Sequence, residues 1–176
     1  MTPTLRQFVT PRALVDALVE NGVTHVPYLP DSEHAATYEL LVDHPSIRLV
    51  RIAREGEALA VAAGLVVGGK RPLPMIQNTG FFESGDSIRG FGVAKDALPM
   101  VIMIGYRGWM AGGPMRDTAA VYTEPILRAW GIPYRTIVAD SDLHMLAESF
   151  EEAERTQRLS AVLLVEDEHY ASTQGR

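Results

Sequence analysis

The sequence predicts a three-layer α/β/α domain built on a mostly parallel sheet. Short apolar runs alternate along the chain with segments whose apolar residues recur at helical spacing. This alternation is typical of parallel strands joined by crossover helices. Residues 99–105 are nearly all apolar, as strands covered on both faces usually are. The length of 176 residues suits one domain over residues 1–176.

Signals for helix and strand ends define the elements of the first half. Thr10-Pro11 suits the N-cap and first residue of a helix, and Asn21-Gly22 suits its end. Asp31 or Ser32 would cap a second helix, which ends before His44-Pro45. The other elements of this half are strands over 24–29, 47–52, 73–77 and 99–105 and a helix over 55–67.

The second half completes the alternation. Apolar residues at helical spacing predict helices over 84–94, 118–130 and 141–154, and strands follow over 134–138 and 161–165. Residues 105–117 form the one long irregular segment, and loops of this length are usually functional.

Composition excludes several classes of function. The net charge of −6 and the lack of a basic cluster argue against a nucleic-acid partner. No apolar run reaches the roughly 20 residues of a membrane span, and no signal peptide is present, so we expect a cytoplasmic protein without a membrane partner. The chain has no cysteine, and its five histidines lack helical metal-site spacing, so we assign no metal.

Four polar segments directly follow the first four predicted strands. They are residues 30–34, 54–56, 77–80 and 105–108. Ligands of parallel sheets bind beyond the carboxyl ends of the strands, so these segments predict a ligand site. For any one segment alone, helix caps and turns are the better explanation, and it is the four together that favour a ligand site.

The predicted helix over 55–67 carries a carboxyl group on an apolar face. Glu55, Ala58 and Ala62 lie on one side at helical spacing, whereas Glu57 lies on the other. A carboxyl group among methyl groups would be half-buried. The alternative is that Glu55 complements the positive helix N-terminus in solvent.

These segments together resemble a known family. Four motifs occur in the order found in the pyrimidine-binding domain of thiamine-diphosphate-dependent 2-oxoacid decarboxylases. They are Pro30-Asp31-Ser32, the run Glu-Gly-x-Ala-x-x-x-Ala-x-Gly that starts at Glu55, Gln77-Asn78-Thr79-Gly80 and Gly105-Tyr106-Arg107-Gly108. The chain is most similar to phosphonopyruvate and sulfopyruvate decarboxylases. It departs from their pattern at residues 81–84, which read Phe-Phe-Glu-Ser where Leu-Gly-Asn is usual, and at Tyr106, which replaces Trp.

The resemblance implies a role for each segment. Glu55 would hydrogen-bond the pyrimidine ring nitrogen of thiamine diphosphate and so activate the cofactor. Asp31 would transfer a proton at the reacting centre, although a helix-capping role explains it equally well. The residues implied to line the cofactor are Gln77, Asn78, Thr79 and Gly80, and those implied to bind substrate are Ser32 and Arg107. Arg107 could pair with a sulfonate or phosphonate, or form a salt bridge within its own loop.

The resemblance also implies that this chain lacks the residues that bind the diphosphate half of the cofactor. In the family a second domain with a Gly-Asp-Gly motif and a downstream Asn-Asn holds Mg²⁺ and the diphosphate, and neither feature follows here. We therefore expect this chain to be an α subunit that needs a diphosphate-binding β subunit, in a homodimeric or larger assembly. The apolar patch expected to drive self-association consists of Ala58, Ala62, Gly64, Phe81, Phe82 and Trp109.

Three alternatives stay open. Phe81 and Phe82 would narrow the pocket, which favours an aromatic or otherwise uncharged 2-oxoacid. A catalytically inactive interaction subunit could have the same fold. Gly85-Asp86-Ser87-Ile88 is similar to the GDSL-type esterase signature, with Asp142 and His144 as candidate partners of Ser87 in a hydrolase.

Overall fold

Six parallel strands form one sheet in the computed structural model, which describes residues 8–32 and 34–165. The strands are β1 (His25–Tyr28), β2 (Arg48–Arg51), β3 (Met75–Gln77), β4 (Met100–Gly105), β5 (Tyr134–Ile137) and β6 (Leu159–Leu164). Their order across the sheet is β2-β1-β3-β4-β6-β5, and every neighbouring pair runs parallel. All six predicted strands and the parallel sheet are confirmed.

Helices connect the strands on both faces of the sheet. They are α1 (Pro11–Glu20), α2 (Ala35–Leu41), α3 (Gly56–Val67), α4 (Asn78–Glu83), α5 (Gly85–Ser87), α6 (Thr118–Ala129) and α7 (His144–Thr156), with a π-helical turn at Ile88–Val93 and a 3-10 turn at Asp140–Asp142. The predicted cap of α1 is confirmed, because the Thr10 hydroxyl accepts from the Ala13 amide at 3.3 Å. Within the described ranges, no helix has the length and apolar character to cross a bilayer.

Alternating side chains of β4 divide the core into two layers. Val101 and Met103 pack with α1, α2 and α7 on one face, whereas Ile102 and Ile104 pack with α3, α4 and α6 on the other. All six residues of β4 are buried. This double coverage explains why the strand is apolar at every position, and it confirms the three-layer architecture.

The predicted cap of the second helix and the predicted loop at residues 77–80 are wrong. α2 is capped by neither Asp31 nor Ser32: its N-cap is His34, and Asp31 accepts the His34 amide in the turn before the helix. Residues 77–80 are not a loop, since α4 begins at Asn78 directly after β3. No side chain caps α4 among the described residues, so its stability comes from packing rather than from an N-terminal signal.

The helix predicted over 84–94 is also different in detail. It divides into the short helix α5 and the π-helical turn that ends at Val93. Close packing accompanies the turn, because a Cβ at Gly92 would lie 2.8 Å from Leu159 Cδ2.

The apolar patch predicted for self-association is largely inside the protein. Ala58, Ala62 and Phe81 are 0% exposed and belong to the core. The apolar side of α3 faces the sheet, so its alanines pack inward instead of forming a surface. Of the predicted patch, only Gly64 is exposed, and Phe82 and Trp109 are partly so.

Candidate active site

The strand order brings the four polar segments to one edge of the sheet. β1 lies between β2 and β3, and Tyr28 near its end is opposite Arg51 on one side and Met75 on the other. Gln77 at the end of β3 is opposite Gly105 of β4. The first crossover leads from β1 to β2 on one side, and the next returns past β1 to β3 on the other side. The carboxyl ends of β1 and β3 therefore form a topological switch point, where parallel sheets bind ligands.

Glu55 occupies the N-cap position of α3 and is half-buried. Its side chain lies against Gly80 of α4, because a Cβ built on Gly80 would lie 2.9 Å from Glu55 Cβ and Cδ. Glu55 does not cap its own helix through its side chain, and in the described chain its carboxylate makes no hydrogen bond or ion pair.

Glu83 of α4 binds the first turn of α3. One oxygen accepts the Gly56 amide, and the other accepts from Arg54 Nε at 2.7 Å. Glu57 binds a different amide, that of Ala53, at 3.0 Å. The start of α3 is thus held by two carboxylates other than that of Glu55.

Asp31 is held inside the protein by hydrogen bonds from His34 and Tyr38. Its side chain is 4% exposed, and it accepts from the His34 amide at 2.9 Å and the Tyr38 hydroxyl at 3.1 Å. The His34 ring nitrogen Nδ1 lies 3.1 Å from the carboxylate. Burial by itself raises the pKa of Asp31, but the charge and hydrogen bonds of His34 outweigh it, so the pKa lies below the ordinary value. These contacts give Asp31 a structural role.

Two buried oxygens at the end of β3 lack a donor. In the described part of the chain, neither Gln77 Oε1 nor Asn78 Oδ1 has a hydrogen-bond partner. The amide nitrogen of Asn78, in contrast, donates to the Arg107 carbonyl at 2.9 Å. A buried acceptor without a donor costs about 1–3 kcal/mol. Thr79, the next residue, is exposed.

The loop after β4 is closed by its own contacts. The Arg116 amide donates to the Gly108 carbonyl at 2.8 Å, and Gly108 has φ +81°, which favours glycine. Arg107 Nε lies 3.6 Å from the Asp117 carboxylate, and the Arg107 side chain is 46% exposed. The loop salt bridge considered as the alternative for Arg107 is therefore present. Ser32, the other implied substrate residue, is exposed.

Tyr106 anchors the start of this loop to α6. Its ring is buried, and its hydroxyl donates to Glu124 Oε1 at 2.9 Å. Burial first, and then the bond to Glu124, raise the pKa of Tyr106. The phenol thus remains neutral and continues to donate.

The residues of the hydrolase alternative are each bound within their own turns. The Ser87 hydroxyl donates to the Ser84 carbonyl at 2.9 Å, and Asp142 accepts from the amides of Val138 and Ala139. No hydrogen bond joins Ser87 to Asp142 or His144 in the described chain. Within the same ranges, no group of three His, Asp or Glu side chains could hold a metal ion.

The structure brings together Glu55 and Gly80 in direct contact, and Asn78 and Arg107 through a hydrogen bond. Asp31 belongs to a separate network with Tyr38, whose hydroxyl lies 3.3 Å from the Met75 carbonyl of β3. The residue that sequence reasoning missed is Glu83. Glu83 follows Gly80 by three residues, and in a helix this spacing places two residues on the same side. A helix predicted over residues 78–83 would therefore have placed Glu83 beside the Gly80 contact.

Comparison with known families decides which proteins share this arrangement. The sequence profile described as the thiamine pyrophosphate enzyme, N-terminal TPP binding domain, matches residues 10–105. The chain belongs to this family. The matched segment covers more than half of the chain and includes every predicted site residue except Arg107. The resemblance found from sequence motifs is thereby confirmed, and this thiamine pyrophosphate enzyme chain carries a cofactor-binding domain.

Two curated proteins are similar to this family member. The sulfopyruvate decarboxylase subunit alpha of Methanococcus maripaludis is 29% identical over 129 residues, which cover 69% of this chain and 73% of that protein. The phosphonopyruvate decarboxylase of Streptomyces viridochromogenes is 30% identical over 95 residues, which cover 54% of this chain and 24% of that protein. The two relatives agree with the subfamily that the motifs resembled.

A solved structure shares the fold of this thiamine pyrophosphate enzyme domain. The 2-oxoglutarate:ferredoxin oxidoreductase from Magnetococcus marinus superposes with a TM-score of 0.70 and 15% identity, over 93% of this chain and 30% of that one. At this identity the similarity concerns the fold alone.

Proposed function

We propose that this chain is the pyrimidine-binding α subunit of a two-subunit decarboxylase that converts 3-sulfopyruvate or 3-phosphonopyruvate to the aldehyde and CO₂. The family assignment and the two decarboxylase relatives support this proposal. The relative named subunit alpha is matched over 73% of its length, which supports the division into two chains.

The observation that carries the proposal is the free carboxyl group of Glu55. It lies at the end of β2 next to the switch point, and neighbouring carboxylates bind the helix start in its place. Thiamine diphosphate, when bound, supplies an electron sink for loss of CO₂ from a 2-oxoacid. Glu55 would hold a proton between its carboxyl group and the pyrimidine ring nitrogen. Its partial burial would strengthen that hydrogen bond.

The residues after β3 fit the pyrimidine. Gln77 Oε1 and Asn78 Oδ1 are buried acceptors without a donor in the described chain, and an aminopyrimidine carries an exocyclic amino group that donates. Gly80 has no side chain, which lets its backbone lie against Glu55. Thr79 is exposed on the same segment and could contact the substrate side of the cofactor.

Substrate binding is assigned to Ser32 and Arg107. Both are accessible, and Arg107 forms only a long salt bridge that a better-placed anion could replace. A guanidinium group matches the oxygens of a sulfonate or phosphonate. Asp31 would act in proton transfer only if a ligand displaced the hydrogen bond that its carboxylate accepts from the Tyr38 hydroxyl of α2.

The partner would be a β subunit that carries the Gly-Asp-Gly and Asn-Asn residues and binds Mg²⁺ and the diphosphate. The cofactor would then lie between two chains. The assembled complex, with two or more copies of each subunit, would be active, whereas this chain alone would bind the cofactor weakly.

A second candidate is decarboxylation of an aromatic or other uncharged 2-oxoacid. The observation that favours it is the Arg107–Asp117 salt bridge, which already neutralises the proposed anion-binding group. The partly exposed ring of Phe82 on α4 also suits an apolar substituent.

Co-expression with a β subunit of this description tests both candidates. CO₂ release from 3-sulfopyruvate, 3-phosphonopyruvate and phenylpyruvate is measured with thiamine diphosphate and Mg²⁺. We expect kcat/KM to favour one of the anionic acids, and Glu55→Gln to lower kcat by about 10²-fold or more. Glu57→Gln, which removes the same charge from the same helix end, is the matched control and should retain activity.

Two outcomes would contradict the proposal. Unchanged turnover in Glu55→Gln would exclude the assigned role of that carboxyl group. A complex that forms but releases no CO₂ in a cofactor-dependent way would indicate the inactive interaction subunit.

A further inference from the structure

The start of α3 poses a capping problem. The first amides of a helix lack partners within the helix, and a Ser, Thr, Asp or Asn side chain at the N-cap usually accepts one of them. Glu55 occupies that position but, in the described chain, forms no such bond. The amides of Glu57 and Ala58 donate to the carbonyls of Arg54 and Glu55, at 3.1 and 2.9 Å, so the Gly56 amide is the one at this helix start that needs a partner from elsewhere.

Glu83 provides that partner from a different helix. Its carboxylate accepts the amide of Gly56, the first residue of α3, and the guanidinium of Arg54 on the other side of Glu55. Its two partners therefore flank Glu55 in the sequence. A Cβ at Gly56 would lie 2.9 Å from Glu83 Oε2, so the carboxylate lies directly against the backbone.

A second residue of α4, Gly80, contacts the side chain of Glu55. Gly80 and Glu83 are three residues apart and lie on the same side of α4, where Gly80 packs against the Glu55 side chain. One short helix thus fixes both the backbone and the side chain of Glu55.

We propose that Glu83 is a positioning residue for Glu55: by accepting the Gly56 amide and the Arg54 guanidinium on either side of Glu55, it fixes the backbone that carries the Glu55 carboxyl group and so holds that group against Gly80. The inference rests on the proposed function of Glu55, which it deepens. Arg54 offsets the charge of Glu83, because hydrogen bonding and charge from Glu83 raise the pKa of this guanidinium. A second carboxylate can thus lie beside Glu55.

Glu57 provides a matched control. It is another carboxylate at the start of α3, but it accepts the Ala53 amide instead of the Gly56 amide. Removing either side chain changes the local charge equally. Only removal of Glu83 frees the Gly56 amide.

The first test uses the cofactor-free chain and does not depend on activity. Amide hydrogen exchange of Gly56 is followed by NMR in Glu83→Ala, Glu83→Gln and Glu57→Ala. Loss of the bond should speed Gly56 exchange by about tenfold in Glu83→Ala, whereas Glu57→Ala should leave it unchanged. Glu83→Gln keeps only one of the two acceptor oxygens, which the Gly56 amide and Arg54 must then share, so Gly56 exchange should lie between the wild type and Glu83→Ala. If the alanine variant does not fold, faster Gly56 exchange in Glu83→Gln than in the wild type provides the result, and unchanged exchange there contradicts the inference.

The second test uses the assembled enzyme. Glu83→Ala should lower kcat by about tenfold or more and change KM for the 2-oxoacid little, and Glu83→Gln, which keeps one of the two acceptor oxygens, should restore part of the loss. Gly56 exchange no faster in Glu83→Ala than in Glu57→Ala would overturn the inference, whatever the activity. If Glu55→Gln abolishes turnover but Glu83→Ala does not lower it, the positioning role alone is wrong. If Glu55→Gln keeps full turnover, the proposed function is wrong.

Discussion

The side chain of Glu55 packs against the backbone of Gly80, so closely that a Cβ at position 80 would lie 2.9 Å from two of its carbon atoms. The two residues come from different helices, α3 and α4, which follow strands on either side of β1. The contact therefore connects two polar segments that the sequence separates by more than twenty residues.

Gly80→Ala should destabilise the protein although alanine favours helices. The added methyl group would displace Glu55, and overpacking of this kind costs about 1–3 kcal/mol. Gly64→Ala is the matched control, because Gly64 also lies in a helix but has nothing within 4 Å of its Cβ position. That variant should gain about 0.5–1 kcal/mol. Urea denaturation measures both free energies of unfolding, and equal effects of the two variants would contradict the contact.

Asp31→Asn should destabilise the protein in a pH-dependent way. The lowered pKa of the Asp31 carboxyl group means that the charged form favours the folded state. This stabilisation is complete above the ordinary carboxyl pKa near 4 and is lost as the pH falls through the lower pKa of the folded state. We expect a deficit of about 1–3 kcal/mol at pH 7 that narrows below pH 4.

Denaturation at several pH values measures this deficit. Exposed Asp16 provides the control variant Asp16→Asn, which should differ little from the wild type throughout. A deficit for Asp31→Asn that stays constant down to pH 3 would show that the carboxylate charge is not what stabilises the turn.

Arg107→Ala should raise KM for the anionic 2-oxoacid and affect stability little. The salt bridge to Asp117 is long and exposed, so its loss costs at most about 1 kcal/mol. Arg116→Ala removes an exposed positive charge from the same loop and should leave KM unchanged. Steady-state kinetics of the assembled complex distinguish the two variants. A similar rise in KM in both would indicate a general effect of loop charge rather than binding by Arg107.

Phe81→Ala should destabilise the protein more than Phe82→Ala, because Phe81 lies in the core and Phe82 is partly exposed. Phe81 is 0% exposed and packs 6.0 Å from the Trp130 ring, so its truncation should cost about 3–5 kcal/mol. Phe82 is partly exposed, and its truncation should cost clearly less. Thermal and urea denaturation measure the loss of stability in each variant. Equal losses would contradict the different burial of the two rings.

Periodicity and composition predicted the strands because each is a short run that contains apolar residues and is bounded by turn residues, and β4 is apolar at every position. The helix at residues 78–83 escaped prediction, since Gln77 and Asn78 have the composition of a turn and no capping side chain marks the start. Packing of Gly80 and Phe81 stabilises α4, and packing between distant segments is not visible in local sequence.

The sequence motifs suggested which residues could form the candidate site, but not the contacts between them. Motif order identified Glu55 and the residues from Gln77 to Gly80, and the strand order brings them to one edge. The role of Glu83 depends on a hydrogen bond between two helices, and the burial of Ala58 and Ala62 depends on which side of α3 faces the sheet. Both features depend on tertiary contacts, which helical spacing alone does not predict.

The position of β4 has a consequence for how the chain folds during synthesis. This strand pairs with β3 on one side and with β6 on the other, and β6 is made more than fifty residues later. Until β6 leaves the ribosome, one edge of the most apolar strand stays open and could pair with another nascent chain. Early termination should therefore give aggregating fragments, whereas a chain that extends through Leu164 can close the centre of the sheet.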